Sequence, residues 1–135
     1  MRDKHKDFRR RGASVAAVAQ GTVEEIHTFL DEMRLPFPVL ADPERAVYAL
    51  YQLPMGGLLS LVTPRTMAAA QQMARDHGVA VDTRASMLAH SSWRQMPGTF
   101  VIDTTGTCRY EQVGQDSSDT APVAAILQAI DACKA

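Results

Sequence analysis

At 135 residues, 46% apolar and 21% charged, the chain has the length and composition of one globular domain with a buried core. A formal charge of −1 excludes a global drive toward nucleic acid or acidic membranes, and no apolar run approaches the ~20 residues of a membrane helix. Its two cysteines, Cys108 and Cys133, make no disulfide framework, and the polar, acid-containing opening Met1-Arg2-Asp3-Lys4-His5-Lys6 is neither signal nor transit peptide, so a reducing, cytoplasmic compartment is the expectation.

Arg2 to Arg11 reads as the closing turns of a helix, with Gly12 at the C-cap, where φ can turn positive. Phe8 is its one large apolar residue, so little of this segment is expected in the core. Ala13-Ser14-Val15-Ala16-Ala17-Val18-Ala19 is a short, nearly continuous apolar run, the pattern of a strand covered on both faces. Thr22 and Glu25 have capping-box spacing, and the helix they open aligns Val23, Ile26, Phe29, Leu30 and Met33 on one face. Leu35 to Leu40 is a second strand whose pairing is limited by Pro36 and Pro38. Asp42-Pro43 supplies an N-cap and a preset φ for a helix reaching Tyr51.

From Gln52 to Gln95 the periodicity weakens. Thr63-Pro64 opens a helix that Gly78 closes, Met55 to Leu61 is helix or loop, and the stretch reads as a helical insertion. Regularity returns with Thr99-Phe100-Val101-Ile102-Asp103, a buried strand; Thr104-Thr105-Gly106 is turn chemistry, and Thr107 to Val113 is the return strand of a hairpin. A last helix begins near Asp119-Thr120 and aligns Val123, Ile126, Leu127, Ile130 and Cys133. Alternating strands and helices followed by a hairpin predict a single α/β domain over residues 1–135, a mixed sheet flanked by helices, with residues 52–95 as the insertion.

Four stretches carry a resemblance. Gln95-Met96-Pro97-Gly98-Thr99-Phe100-Val101-Ile102-Asp103-Thr104-Thr105-Gly106 resembles the segment of thioredoxin-like proteins in which a cis-proline precedes a central strand that turns at Asp-x-x-Gly. Phe37-Pro38-Val39-Leu40-Ala41-Asp42-Pro43-Glu44 is similar to the peroxiredoxin strand that runs into an Asp-Pro helix start, and Phe8-Arg9-Arg10-Arg11-Gly12-Ala13 with Val15-Ala16-Ala17-Val18 to their helix-to-strand join. The insertion and the polar loop before the last helix match as well. In this order they resemble the peroxiredoxin-like branch of the AhpC/TSA family over essentially the whole chain.

The resemblance implies a thioredoxin-like fold and redoxin-type thiol chemistry, the reduction of peroxides or disulfides by a cysteine at the N-terminus of the first long helix, regenerated by a thiol reductant. In that alignment Met1 falls beyond the strand and the cysteine, so the expected nucleophile lies upstream of Met1 and this chain is inactive as written. No arginine fills the slot at Pro97 where typical peroxiredoxins keep a guanidinium. The missing strand is the central one, between Ala13–Ala19 and Thr99–Asp103, and its absence leaves two apolar edges. Three outcomes follow: an internal methionine of a longer gene, direct pairing of the two strands, or a second chain at the gap. A longer gene as origin and a homodimer through the strand edges are the expectation. The alternative function is a non-catalytic redoxin-fold interaction module.

The same residues have plainer readings. Cys133, on the apolar face of the last helix, reads as a small core residue, and Cys108 alternates with Tyr110 on the hairpin; neither has Cys-x-x-Cys spacing or a helix N-terminus, so a redox role is expected of neither. The family docks substrate main chain beside the proline, which makes Met96, Pro97 and Thr99 a vestigial groove, with the structural role of Pro97 placed above a binding one. Six of the 14 basic residues fall in the first eleven positions, but Asp3 and Asp7 interrupt them and cations suit a helix C-terminus, so a solvated helix end is preferred to a nucleic-acid arm. His5, His27, His77 and His90 lack ligand spacing, so no metal is expected, and no phosphate or dinucleotide fingerprint implies a cofactor. Met67, Met73 and Met87 read as core filling.

Overall fold

The computed structural model describes residues 1–56, 95–116 and 118–134, with residues 64, 68, 71, 72 and 75 between them. The chain divides into two compact units, one of Met1–Gln52, Phe100–Glu111 and Ala121–Ala135, the other of Leu53–Thr99 and Gln112–Thr120.

In the first unit a 3-10 turn, Arg2–Lys4, leads into helix α1, His5–Arg10. The chain leaves α1 through Gly12 at φ +72, and the Phe8 carbonyl accepts the N–H groups of Arg11 at 3.0 Å and Ala13 at 3.1 Å. Phe8 is 1% exposed and packs with Val101, Ala121, Ile126 and Ile130, with Ala13, Val15 and Tyr110 against the same cluster. As expected, little of this segment is core: Phe8 is the one buried residue of the turn and helix. α1 is charged almost throughout, and its single large apolar residue is the one driven fully out of water.

The last helix, α4, spans Val123–Ala132 and buries Ile126 and Ile130, one turn apart. It starts later than the polar Asp119-Thr120 pair because Pro122 disfavours helical backbone at Ala121. It also ends before Cys133, which is exposed and not a core residue, since the helical period stops carrying side chains inward once the helix stops. Arg11 Nε lies 3.0 Å from both carboxylate oxygens of Asp131 and ties the end of α1 to the end of α4.

Strands β1, Ala17–Ala19, and β2, Val39–Ala41, pair in parallel, with Ala17 opposite Val39, Val18 opposite Leu40 and Ala19 opposite Ala41. The expected capping box is present: Thr22 Oγ1 accepts from the Glu25 N–H at 3.3 Å, and Glu25 Oε2 accepts from the Thr22 N–H at 2.8 Å. It opens α2, Val23–Met33, yet of the predicted apolar face only Ile26 is buried, while Val23 is 58% and Phe29 46% exposed. The reason is dimensional. Three-residue strands span ~10 Å at ~3.3 Å per residue, whereas eleven helical residues span ~16 Å, so this pair cannot cover the helix. For the same reason β1 is half-buried, not covered on both faces as its composition suggested.

Helix α3, Ala46–Leu50, begins three residues after the Asp-Pro pair predicts. Arg45 N–H donates to the Asp42 carbonyl at 3.0 Å, so Pro43 and Glu44 form a β-turn, and Arg45 then takes a left-handed φ of 58 before the helix.

The hairpin strands β3, Gly98–Ile102, and β4, Cys108–Val113, form a second two-stranded sheet, antiparallel because so short a connection permits nothing else. Its turn closes with Asp103 N–H on the Thr107 carbonyl at 2.9 Å and with Gly106 at φ +84, a backbone suited to glycine. Of β3 only Val101 is buried and Ile102 is exposed, so this strand too is less covered than its sequence implies. Instead of one mixed sheet, the strands make two separate pairs, and no strand among the described residues joins β1 to β3. Phe100 meets Tyr51 in a tilted ring contact at 4.6 Å.

In the second unit Met55 and Gln95 form an antiparallel bridge, and the buried Gln95 donates its amide to the carbonyls of Leu53 at 3.0 Å and Pro54 at 3.1 Å. Gly114 is required by close approach: a Cβ there would stand 2.6 Å from the Asp119 carbonyl oxygen and 2.7 Å from Pro97 Cγ. No cis peptide occurs among the described residues, so the cis reading of Pro97 is corrected to trans, the lower-energy isomer for X-Pro. Of the helix expected after Thr63-Pro64, residues 64, 68, 71, 72 and 75 are described and are helical. The rest of the insertion, with Gly78, Met67, Met73, Met87, His77 and His90, lies outside the described residues.

Because Phe8 is the one large side chain at the centre of the first unit's core, Phe8→Ala is expected to cost about 3–5 kcal/mol, the range for an aromatic cavity. A urea midpoint unchanged within error would contradict that role.

Candidate functional site

Thiol chemistry needs a thiolate, which a helix N-terminus or a neighbouring cation supports. Cys108 opens β4, exposed, with its Sγ donating to the Tyr110 carbonyl at 3.2 Å. Cys133 is exposed just past α4, its Sγ donating to the Ala129 carbonyl at 3.2 Å. That is the negative end of the helix, opposite to the end that assists a thiolate. The cation beside Cys108 in sequence, Arg109, is committed elsewhere: its Nε donates to Asp103 Oδ2 at 2.6 Å, and this bond raises the guanidinium further above its ordinary value. Each thiol thus donates to a main-chain carbonyl, and Cys133 lies within electrostatic reach of the Arg109 guanidinium, which it helps to raise.

The groove residues sit in the second unit. Met96 is buried and donates its N–H to the Pro54 carbonyl at 3.0 Å, while the Pro97 carbonyl accepts the Gly114 N–H at 2.8 Å. Thr99 is half-buried on β3. The Met96 N–H and the Pro97 carbonyl are thus bonded within the chain. Among the described residues no group of three His, Cys, Asp or Glu side chains could hold a metal ion.

Two polar clusters reach further than the cap and turn read from the sequence. In the hairpin turn, Asp103 accepts from the Thr105 hydroxyl at 2.6 Å, Arg109 Nε at 2.6 Å, the Thr107 N–H at 3.0 Å and the Thr105 N–H at 2.9 Å. These bonds, the Thr105 hydroxyl foremost and Arg109 next, hold its carboxyl well below the usual carboxylate range. Asp103-Thr104-Thr105-Gly106 is the signal: an Asp at a turn start bonds the backbone two residues on.

The second cluster is Asp42, 7% exposed, whose carboxylate accepts the N–H groups of Ala46 at 2.9 Å, Val47 at 2.8 Å and Tyr48 at 3.4 Å. The Tyr48 hydroxyl donates to the Val18 carbonyl at 2.9 Å, and burial, then the Asp42 charge, push its phenol above the ordinary tyrosine value, so the hydroxyl stays a donor. Asp42 is legible as a cap; that its reach spans a turn is not, because Arg45 had to turn left-handed first.

A parallel strand pair, a hairpin and a closing helix define a mixed α/β protein. A family model described as AhpC/TSA antioxidant enzyme matches residues 1–116, and the chain belongs to the AhpC/TSA redoxin family, which implies a thioredoxin-like fold. No curated protein matches it. No helix among the described residues is long and apolar enough to cross a membrane.

The depressed Asp103 carboxyl makes a signed prediction. A folded value below the unfolded one, ~4, stabilises above that pH and the stabilisation is lost as pH falls through the folded value. Asp103→Asn should therefore lower Tm at pH 7 and flatten its decline toward acid; an acid limb identical to that of the wild type would contradict the assignment.

Proposed function

We propose that the chain serves the redoxin-type role of its family, thiol-dependent reduction of peroxides or disulfides, without itself supplying the nucleophile, which is neither Cys108 nor Cys133. What carries this reading is the family match over residues 1–116 together with the positions of the two thiols, one at a hairpin strand and one at the wrong end of a helix. The 135 residues alone turn over no peroxide, and a thiol reductant regenerates the complete system. The finer architecture we propose is a thioredoxin-like sheet lacking its first core strand, with residues 52–95 as a helical insertion. The two separate strand pairs support it, since one common neighbour between β1 and β3 would merge them. Met96, Pro97 and Thr99 are structural remains of a substrate groove. The reducing cytoplasm is the compartment that suits two exposed free thiols.

A second reading is a non-catalytic association module that forms a homodimer through its strand edges, with no nucleic-acid or membrane partner. The single-sided pairing of β1 and β3 and the exposed Leu40 and Ile102 favour it.

Peroxide consumption by the chain with a dithiol donor separates the two thiols from catalysis. Wild type and the Cys108→Ser/Cys133→Ser double variant are expected to show the same rate, no higher than that of a free thiol. Saturable turnover that either single Cys→Ser substitution abolishes would overturn the proposal.

A further inference from the structure

Main-chain accounting at β1 shows which way its middle residue faces. Ala17 N–H donates to the Pro38 carbonyl at 2.9 Å, and the Ala19 carbonyl accepts the Asp42 N–H at 2.7 Å. In a parallel pair alternate residues turn both polar groups to the partner, so Ala17 and Ala19 serve β2 and Val18 faces the opposite edge. An outward carbonyl on an uncharged, apolar strand is the template on which another strand pairs. In this chain it is taken by the Tyr48 hydroxyl at 2.9 Å.

Tyr48 is held there from both ends. The Asp42 carboxylate accepts its N–H and those of Ala46 and Val47, and Asp42 is itself bonded to the end of β1 through Ala19. β1, Asp42, the first turn of α3 and the Tyr48 hydroxyl thus close a ring of hydrogen bonds that returns to the middle of β1. A strand arriving at this edge needs the Val18 carbonyl as an acceptor and so competes for it with the hydroxyl already seated there.

We propose that Tyr48 is an edge guard, whose hydroxyl occupies the outward acceptor of β1 and restrains the pairing of that edge with β1 of a second copy. The second copy is the fitting occupant because residues 13–19 carry no charge, and an antiparallel two-fold pairing across Val18 sets identical short apolar strands together. The neighbouring Leu40, opposite Val18 on the same face and 55% exposed, offers apolar surface that such pairing would begin to cover. The choice of partner rests on the association reading, though the guard itself is a property of the single chain.

Sedimentation velocity over a concentration series tests it with Tyr48→Phe, which keeps the ring and removes only the donor. Each copy then gives up no hydrogen bond on pairing, and at roughly 1 kcal/mol for each such bond the dimer dissociation constant is expected to fall about tenfold or more. Adding Val18→Pro removes the outward N–H without touching the ladder to β2, and the double variant should return to wild-type association or below. Tyr48→Phe that keeps the wild-type far-ultraviolet spectrum and cooperative unfolding but associates no more tightly than wild type overturns the guard. So does tighter association that Val18→Pro leaves intact. A wild-type chain that stays monomeric throughout while Tyr48→Phe dimerises sinks the homodimer reading and supports the guard.

Discussion

The Asp42 carboxylate, almost withdrawn from solvent, accepts the main-chain N–H groups that open α3 while its own N–H closes onto Ala19, and on this residue the joining of β1, β2 and α3 depends. A two-stranded sheet of three-residue strands is marginal by itself. Hydrogen bonds to a charged group contribute ~1.5–3 kcal/mol each, so the bonds at Asp42 outweigh what so short a ladder adds. They also fix where Tyr48 stands, and through it how one edge of the sheet is finished. Removing the carboxylate would strand several N–H groups at the start of a helix that has no other side-chain cap.

The rest of the first unit is built around Phe8, with α4 and the hairpin closing over it. The two strand pairs contribute to the unit without merging, which explains why apolar residues that read as core, Val23, Phe29, Leu40 and Ile102, remain in contact with water. Coverage of a helix face or a strand is a property of the whole sheet, and here the sheet is narrow.

The same contrast separates what was legible in the sequence from what was not. The Thr22–Glu25 box, the positive φ at Gly12 and the Asp103–Gly106 turn were readable because each is settled by residues within a few positions of one another. The hairpin and the terminal helix were readable from their periodicity. Burial along α2, the exposure of Cys133 and the delayed start of α3 were not, since each depends on partners distant in the chain or on a backbone choice at Arg45 that composition does not specify. The candidate site followed the same rule. The residues that resemble a redoxin were visible, whereas the engagement of Met96 and Pro97 by Pro54 and Gly114 needed the fold.

Residues 1–116 match an antioxidant-enzyme family, and the two free thiols, Cys108 at the start of β4 and Cys133 just past α4, are both exposed. The narrowness of the sheet is plainest at the edge of β1, where Val18 looks away from its only strand partner among the described residues.

Residue-resolved amide hydrogen exchange on the dilute chain tests that point most directly. Ala17 and Ala19 should be protected by β2 while the Val18 amide between them exchanges orders of magnitude faster. Protection of Val18 equal to that of its two neighbours would mean that a strand already lies on that edge, and would contradict an open β1 edge finished by Tyr48.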